Sequence, residues 1–352
     1  MIFLKKLFGY TQNKQPVFLY HLENAVGAYI EVLDYGCRIH SICVPDKYGK
    51  LRDVCLGYAT LAEYENDSEY LGAAVGRCCN LISDANFSLH RQHYFLDTNS
   101  GCNHLHGGRN SFSFSHWDCT TQENKLIFSR FIPHLSDGYP GNLKMQITYQ
   151  WTEENCLNIC YEGICDTDTI LNVTNHTYFN LNGTTTDSAA ENTIMNHELC
   201  IHSRFITEIR EDLLPTGRFL PVEQTPFDFR GFKLISRDID SNNMQITYGD
   251  GYDHCFLLEG EDFRKAATLQ SPESGIGMTC YTDQPGIQIY TANGLTPCHG
   301  KYGEVLLPRS GICLETQHFT DAVHIPAFPS VVLPAGKHFF SRTAYCFDTL
   351  KL

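Results

Sequence analysis

Short runs of strand-forming residues recur along the whole chain, and turn-forming residues separate them. Residues 28–33 and 38–44 are two such runs, with Asp34-Tyr35-Gly36 as the turn between them. Later runs of the same kind cover residues 125–131, 144–151, 156–164, 286–291 and 330–334. We expect short helices at 61–70 and 232–240, but the sequence lacks long amphipathic helices and strand–helix alternation. The pattern predicts an all-β fold, a large antiparallel β-sandwich.

The 352-residue length is compatible with two domains, but neither a repeat of fixed period nor a linker-like segment divides the chain. Long all-β chains often fold as one unit. We therefore expect a single domain at residues 10–352, preceded by an N-terminal extension at residues 1–9. The hydrophobic share of 42% is ample for a large core and argues against disorder.

Charge and cysteine content indicate where such a chain works. A net charge of −14 argues against binding to nucleic acid or to an anionic membrane surface. The N-terminus lacks the apolar region and cleavage site of a signal peptide, and no run approaches the ~18 apolar residues of a membrane span. The sixteen cysteines are scattered through a large chain, which favours reduced thiols packed as small hydrophobic residues. We predict a cytoplasmic protein.

One histidine stands between small polar residues in Asn175-His176-Thr177, within a strand-like stretch. A histidine has an unperturbed pKa near neutrality, so it can both give and take a proton. An isolated histidine in a strand is more often a packed structural residue. Its significance therefore depends on polar motifs elsewhere in the chain.

Other stretches combine polar side chains with turn glycines, and each one alone is weak evidence. Glu315 follows an apolar run, where a charge is often a solvated rim residue. The His104-x-His106 spacing suits metal ligands, but this spacing alone is weak evidence, and we predict no metal site. The chain has no Gly-x-Ser-x-Gly, no phosphate-binding loop and no anchored carboxylate pair for glycoside hydrolysis.

Taken in order, the motifs resemble those of the aldose 1-epimerases, also called galactose mutarotases. They are Asp34-Tyr35-Gly36, Leu105-His106-Gly107-Gly108, Asn175-His176-Thr177-Tyr178-Phe179, Leu214-Pro215-Thr216-Gly217, Tyr252-Asp253-His254, Gln284-Pro285-Gly286 and Leu314-Glu315-Thr316-Gln317. The resemblance covers nearly the whole chain. It implies a β-sandwich with an open sugar groove, a free aldohexose such as galactose or glucose as substrate, and no metal, nucleotide or flavin.

The family's reaction requires an acid and a base at one locus, because the anomeric and ring oxygens are both bonded to C1. By resemblance, His176 is the proton donor and Glu315 the proton acceptor, and nearby acidic groups are expected to raise the proton affinity of the histidine. The resemblance also implies that the sugar groove is lined by Asn80, His106, Tyr178, Asp253 and Gln284. We expect a monomer or a homodimer whose only partner is the sugar.

The chain departs from the family pattern at Leu81. The family usually reads Asn-Arg-Ile where this chain reads Asn80-Leu81-Ile82, and that arginine ordinarily contacts the sugar. Arg77 lies three residues earlier and is the nearest candidate to replace it. Two other functions stay open on sequence grounds. One is a hexose-binding protein without turnover, and the other is an epimerase of modified or phosphorylated hexoses, which would need clustered Arg or Lys.

Overall fold

The computed structural model describes residues 2–184, 192–260 and 262–350. Its strands are numbered along the chain as β1 (Ile2–Tyr10), β2 (Pro16–Glu23), β3 (Tyr29–Leu33), β4 (Ile39–Pro45), β5 (Leu51–Asp53), β6 (Ala74–Val75), β7 (Leu81–Ile82), β8 (Asn86–Leu89), β9 (Gln92–Phe95), β10 (His104–Leu105), β11 (Asp118–Gln122), β12 (Lys125–Ile132), β13 (Leu143–Trp151), β14 (Cys156–Cys165), β15 (Thr169–Ile170), β16 (Thr174–Asn175), β17 (Tyr178–Phe179), β18 (Glu198–Ile201), β19 (Ser203–Ile209), β20 (Pro215–Pro221), β21 (Lys233–Leu234), β22 (Asp253–Leu258), β23 (Arg264–Ser271), β24 (Ile276–Thr282), β25 (Gly286–Tyr290), β26 (Cys298–His299), β27 (Val305–Leu306), β28 (Ile312–Gln317), β29 (Val332–Leu333) and β30 (His338–Thr349). Two short α-helices, α1 (Leu61–Glu65) and α2 (Met244–Gly249), and 3-10 turns at Ser83–Ala85, Phe112–Phe114, Ser136–Gly138 and Ile235–Arg237 complete the described secondary structure.

These strands pair in antiparallel fashion, so the predicted all-β antiparallel architecture is confirmed. The three larger sheets have the orders β1-β2-β3-β4-β5, β11-β12-β13-β14-β30-β24-β23-β18-β21 and β17-β28-β25-β22-β19-β20. Separate two-stranded sheets, among them β7 with β10 and β6 with β16, accompany the larger sheets. Antiparallel neighbours need only short turns, which explains the frequent Gly, Asn and Asp between strands.

A continuous hydrophobic core joins the three larger sheets. Ile30 of β3, Phe128 of β12 and Leu314 of β28 belong to one cluster of buried side chains. Because successive side chains of a strand point to opposite faces, β28 directs Leu314 into this core and the flanking side chain of Glu315 to the other face. The six-stranded sheet therefore has one face in the core and one face available for a site.

The long predicted strands agree with the structure, whereas the predicted helices agree less well. Residues 125–131, 144–151 and 156–164 correspond closely to β12, β13 and β14. The helix predicted at 61–70 is shortened to α1, which Thr60 and Glu63 cap reciprocally. The helix predicted at 232–240 is wrong, since this segment holds β21 and a single 3-10 turn. Helix α2, which the sequence analysis did not predict, starts after Asn243, whose side chain accepts the Gln245 N–H.

The segment that the sequence analysis set aside as an N-terminal extension forms most of β1. This strand pairs with β2 from Ile2 opposite Glu23 to Tyr10 opposite Pro16. It is the outer strand of the five-stranded sheet, and several of its apolar side chains are exposed.

The expectation of uniformly reduced cysteines needs a correction. Cys156 of β14 and Cys346 of β30 lie directly opposite each other and form a disulfide, with a Cα–Cα distance of 4.0 Å. The other fourteen cysteines are free, and most of them are buried. The two bonded residues are 190 positions apart, so only the pairing of their strands reveals the contact.

In the part of the chain that the structure describes, no helix is long and apolar enough to cross a bilayer.

Candidate active site

A cavity of about 220 Å³ lies on the exposed side of the six-stranded sheet. Residues from all six strands of this sheet, together with neighbouring loops, form its walls. Six of the seven residues predicted from sequence line it: Asn80, His106, His176, Tyr178, Asp253 and Glu315. The structure thus brings together motifs that are as much as 235 positions apart in sequence, the separation of Asn80 and Glu315.

Strand register explains how these distant residues converge. Glu315 of β28 lies opposite Gln288 of β25. Glu315 and Gln288 thus belong to one row of side chains across the sheet. The next row on the same face contains Cys313 of β28, which lies opposite Tyr290 of β25, and Asp253 of β22, which lies on the other side of Tyr290. Paired residues on one sheet face have closely spaced Cβ atoms, so the two rows form a compact polar floor.

The backbone on both sides of His176 is fixed by hydrogen bonds to the preceding loop. Its N–H donates to the Ala73 carbonyl at 2.8 Å, and its carbonyl accepts the Gly72 N–H at 3.0 Å. The Asn175 side chain donates to the Gly72 carbonyl and accepts the Thr177 N–H. The polar neighbours of His176 in sequence therefore hold the loop rather than the imidazole itself.

His176 and Glu315 face each other at the centre of the cavity. His176 Nε2 lies 3.7 Å from Glu315 Oε1, and the two residues are 5% and 2% exposed. Among the described residues, Glu315 Oε2 is a buried oxygen without a hydrogen-bond partner. A buried unpaired oxygen is costly, so this atom is suited to accept a bond from a ligand hydroxyl.

Burial is the largest influence on the protonation of this pair. It raises the pKa of Glu315 well above its usual range, and the negative charge of Asp253 raises it further. Burial also lowers the pKa of His176 to about 4, although Asp67 acts in the opposite direction. The expected effect of a nearby acidic group is present in Asp67, but desolvation outweighs it, so the pKa of His176 lies below its usual value rather than above it. Both shifts disfavour isolated charges, so the pair as a whole is suited to hold one proton.

Asp253 adds a half-buried carboxyl group to the cavity. Its Oδ1 accepts a hydrogen bond from Gln288 Nε2 at 2.6 Å. Burial raises the pKa of Asp253 to about 6, while the bond from Gln288 lowers it. Near neutral pH this carboxylate is an acceptor for hydroxyl groups, with its orientation fixed by Gln288.

His106 adds a defined hydrogen-bond donor to the cavity. The His106 Nδ1 accepts a hydrogen bond from the backbone N–H of Asn80 at 3.2 Å, and the backbone N–H of His106 donates to the Asn80 carbonyl. Burial lowers the pKa of His106 well below its usual value. The neutral ring therefore carries its proton on Nε2. Gly107 permits this loop, since a Cβ there would lie 1.9 Å from the Gly76 carbonyl oxygen.

Aromatic rings enclose the imidazole of His176. Its ring centroid lies 5.0 Å from that of Tyr178, 5.2 Å from that of His106 and 6.1 Å from that of Tyr70. The Tyr178 hydroxyl donates to the Glu69 carbonyl at 2.9 Å. Tyr178 therefore contributes its ring to the cavity, while its hydroxyl anchors the surrounding loop.

Gln284, the seventh residue predicted from sequence, does not line the cavity. It lies in the turn between β24 and β25, and its Nε2 donates to Ser341 Oγ at 2.6 Å. Gln288, four residues later on β25, is the glutamine whose side chain reaches the polar floor. Strand alternation identifies Gln288 only once the start of β25 is known.

Leu81 lines the cavity, and Arg77 does not replace the missing arginine. The Arg77 guanidinium is buried and donates to the Pro140 carbonyl at 2.6 Å and to the Gly141 carbonyl at 2.8 Å. Leu81 belongs to an apolar part of the wall: Leu81, Leu105, Ile209, Leu213 and Pro215. Among the described residues that form the cavity, none is Lys or Arg.

His104 and His176 are poorly suited to bind a metal ion. His104 Nδ1 bonds to the Asp97 carbonyl at 2.6 Å and Nε2 to the Tyr139 hydroxyl at 2.7 Å, so neither nitrogen is free. His176, Cys313 and Glu315 have potential ligand atoms within 4.8 Å of one another. Burial raises the pKa of the Cys313 thiol well above its usual value, and a protonated thiol is a poor metal ligand. This donor set fits acid–base chemistry better than metal binding.

Comparison with known proteins shows the family of this chain. Residues 19–346 match the family described as aldose 1-epimerase. The chain belongs to the aldose 1-epimerase family. It is therefore placed among isomerases that act as mutarotases.

Relatives in this family align along most of their length. The galactose mutarotase of Sus scrofa is 36% identical over 321 residues, which are 91% of each chain. The aldose 1-epimerase of Escherichia coli is 31% identical over 340 residues, covering 95% of this chain and 96% of the relative.

Solved structures show the same fold. An aldose epimerase homologue from C. elegans gives a TM-score of 0.86 at 28% identity, covering 95% of this chain and 99% of that one. The galactose 1-epimerase of Lactobacillus acidophilus gives 0.85 at 25% identity, covering 99% of both chains.

Proposed function

We propose that this member of the aldose 1-epimerase family interconverts the α and β anomers of a free aldohexose such as galactose or glucose. The observation that carries the proposal is the buried pair of His176 Nε2 and Glu315 Oε1 at 3.7 Å. Both oxygens that exchange protons in the reaction are bonded to the same carbon, so the acid and the base must lie this close together. An acid–base pair at one locus meets that requirement.

In the proposed reaction, Glu315 accepts the proton of the anomeric hydroxyl while His176 Nε2 donates a proton to the ring oxygen. The C1–O5 bond breaks as the C1 carbonyl forms, and rotation about C1–C2 presents the other face of the aldehyde. Ring closure then returns both protons in reverse. The pair needs only one shared proton, which agrees with the opposed pKa shifts of Glu315 and His176. When the sugar binds, the anomeric hydroxyl stabilises the carboxylate, and the shared proton moves to His176.

The remaining polar groups of the cavity bind the sugar in this proposal. Asp253 accepts from hydroxyl groups, His106 Nε2–H donates to one, and Asn80 offers its amide. Gln288 takes the role that the sequence analysis gave to Gln284, because it holds Asp253 and lies in the cavity. Tyr178 supports the His176 ring.

A phosphorylated hexose is less favoured as the substrate. Its phosphate would require arginine or lysine side chains, and the described lining of the cavity has neither. A hexose-binding protein without turnover would need the same polar groups to bind the sugar. It would not need an acid and a base placed opposite each other.

We further propose that residues 10–352 work as a single domain in the cytoplasm, as a monomer or homodimer. Fourteen free thiols suit a reducing compartment. Light scattering coupled to gel filtration measures the oligomeric state, and a fluorescent fusion reports the location.

Polarimetry tests the proposed function. Freshly dissolved α-galactose and α-glucose should reach rotational equilibrium faster with micromolar protein than without it. A decay rate unchanged by the protein, for both sugars, would reject the enzymatic proposal and favour the hexose-binding one.

A further inference from the structure

Strand β28 contacts both nitrogens of the His176 imidazole. Cys313 and Glu315 are two residues apart on this strand and therefore lie on the same face. Cys313 Sγ lies 3.5 Å from His176 Nδ1, and Glu315 Oε1 lies 3.7 Å from His176 Nε2. Cys313 is fully buried. One rigid strand thus sets the distance between the imidazole and both of its polar neighbours.

We propose that Cys313 is a positioning residue, whose sulfur accepts the Nδ1–H of His176 and so keeps Nε2 as the nitrogen that exchanges protons. This inference rests on the proposed function of the His176–Glu315 pair. It extends that function by assigning a role to a side chain that does not contact the reacting atoms.

The direction of the hydrogen bond follows from counting protons. A pair that shares one proton has two forms: a carboxylic acid facing a neutral imidazole, and a carboxylate facing an imidazolium. In the first form the carboxylic acid of Glu315 faces Nε2 at 3.7 Å as the proton donor, so the proton of the neutral ring lies on Nδ1. In the second form both nitrogens carry a proton. Nδ1–H is therefore present in both forms, and Cys313 Sγ is the acceptor within reach.

A sulfur acceptor and an oxygen acceptor for the Nδ1–H would affect His176 differently. Thioether and thiol sulfur atoms are weak acceptors, so Cys313 orients the Nδ1–H without strongly stabilising the imidazolium. An oxygen acceptor in its place would stabilise the charged ring more and make it a weaker acid. Cys313 therefore fixes the ring while His176 stays ready to release its proton from Nε2.

Other groups around His176 also influence the orientation and the pKa of the imidazole. The rings of Tyr70, Tyr178, Tyr290 and His106 pack against the imidazole. Glu315 faces Nε2, and the charges of Asp67 and Arg38 act on the ring from further away in opposite directions. None of these residues is altered by a substitution at Cys313.

The pH dependence of kcat tests the proposal in Cys313→Ser and Cys313→Ala. In the serine variant the hydroxyl oxygen stabilises the imidazolium, so the low-pH limb of kcat should move to higher pH. In the alanine variant no side-chain acceptor remains, so the limb should move to lower pH and kcat should fall about tenfold, the effect of losing one modest hydrogen bond. KM should stay within about twofold in both variants.

Cys280→Ser and Cys280→Ala are matched controls. Cys280 is a free, fully buried cysteine on β24 of the nine-stranded sheet, outside the cavity. These variants undergo the same chemical change in a buried strand but should keep the wild-type pH profile. A Cys313→Ser profile that superimposes on that of the wild type would overturn the proposal.

A second measurement needs no turnover and so separates this proposal from the proposed function. Long-range ¹H–¹⁵N correlation spectra of ¹⁵N-histidine-labelled protein report which imidazole nitrogen is protonated. The His176 signal is assigned by its loss in His176→Asn. Near neutral pH, the free protein should show the Nδ1–H form of His176. A ring protonated only on Nε2 would contradict the assigned role of Cys313, whether or not the protein turns over a sugar.

Discussion

His176 Nε2 lies 3.7 Å from Glu315 Oε1 in a cavity that almost completely buries both side chains. Short strands at two distant places in the chain carry them, since His176 follows β16 and Glu315 lies within β28. Burial opposes a charge on either group alone. The pair is therefore expected to act as a unit in which the loss of either member removes most of the catalytic effect.

Replacing Glu315 by Gln should reduce turnover strongly while the fold is kept. The amide has the size of the carboxylate but cannot accept the anomeric proton, and one positioned acid or base typically contributes ~10²–10⁴-fold. Polarimetry gives the rate and thermal unfolding gives the stability. A variant that turns over sugar at a rate near that of the wild type would show that Glu315 is not the base.

Replacing His176 by Asn should cause a loss of similar size, and the double variant should be little worse than either single one. Residues that act as a unit give strongly non-additive losses, because the second substitution removes a group that has already lost its function. Multiplicative losses in kcat for the double variant would indicate that the two groups act independently.

Gln288→Ala and Gln284→Ala should have different effects on KM, because only Gln288 lines the cavity. Gln288→Ala frees the Asp253 carboxylate, which Gln288 holds at 2.6 Å, so KM should rise. Gln284→Ala removes a bond to Ser341 outside the cavity, so KM should stay within about twofold and only the melting temperature should fall. The reverse result would restore Gln284 to the role expected from sequence.

Leu81→Arg should lower KM if the cavity has lost a sugar contact at this position. A hydrogen bond from a charged donor contributes roughly 1.5–3 kcal/mol, or about ten- to hundredfold in affinity. Arg77 does not make this contact already, since its guanidinium binds backbone carbonyls away from the cavity. If the wall has instead adapted to a less polar sugar, the buried guanidinium would raise KM and lower the melting temperature.

Buried histidines should make the protein sensitive to mild acid. Burial lowers the pKa of His40, His197 and His254 to about 3 and that of His176 to about 4. Their neutral forms stabilise the fold above the unfolded pKa of about 6.5, and this contribution is lost as the pH falls towards the folded values.

The free energy of unfolding should therefore fall between pH 7 and pH 5, by up to about 1.4 kcal/mol per pH unit for each histidine. Glu315 and Asp253 act in the opposite direction, because burial raises the pKa of Glu315 well above its usual range and that of Asp253 from 3.8 to about 6. Urea titrations at the two pH values measure the difference. Equal stability at pH 7 and pH 5 would contradict the burial argument.

Parts of the fold and of the candidate site can be predicted from the sequence, because they depend on local residue patterns. The alternation of Ile312-Cys313-Leu314-Glu315 places Leu314 in the core and Glu315 on the opposite face. Turn glycines mark the ends of strands, and Gly107 marks a point where two backbones approach closely. Such signals predict the strands and most of the candidate site.

The features that escaped prediction depend on contacts between distant strands. The Cys156–Cys346 disulfide requires the register of β14 and β30. The contact of Cys313 with His176 Nδ1 requires the packing of β28 beside the loop after β16. The low pKa of His176 follows from the depth of the cavity, which no local motif encodes.

Magnetisation exchange between the anomeric protons of galactose at equilibrium tests the central claim most directly. We predict that the wild-type protein speeds this exchange, and that Glu315→Gln and His176→Asn still broaden the sugar signals by binding but exchange the anomers at close to the uncatalysed rate. Wild-type protein that binds galactose without speeding exchange, or variants that exchange it as fast as the wild type does, would contradict an acid–base role for the His176–Glu315 pair.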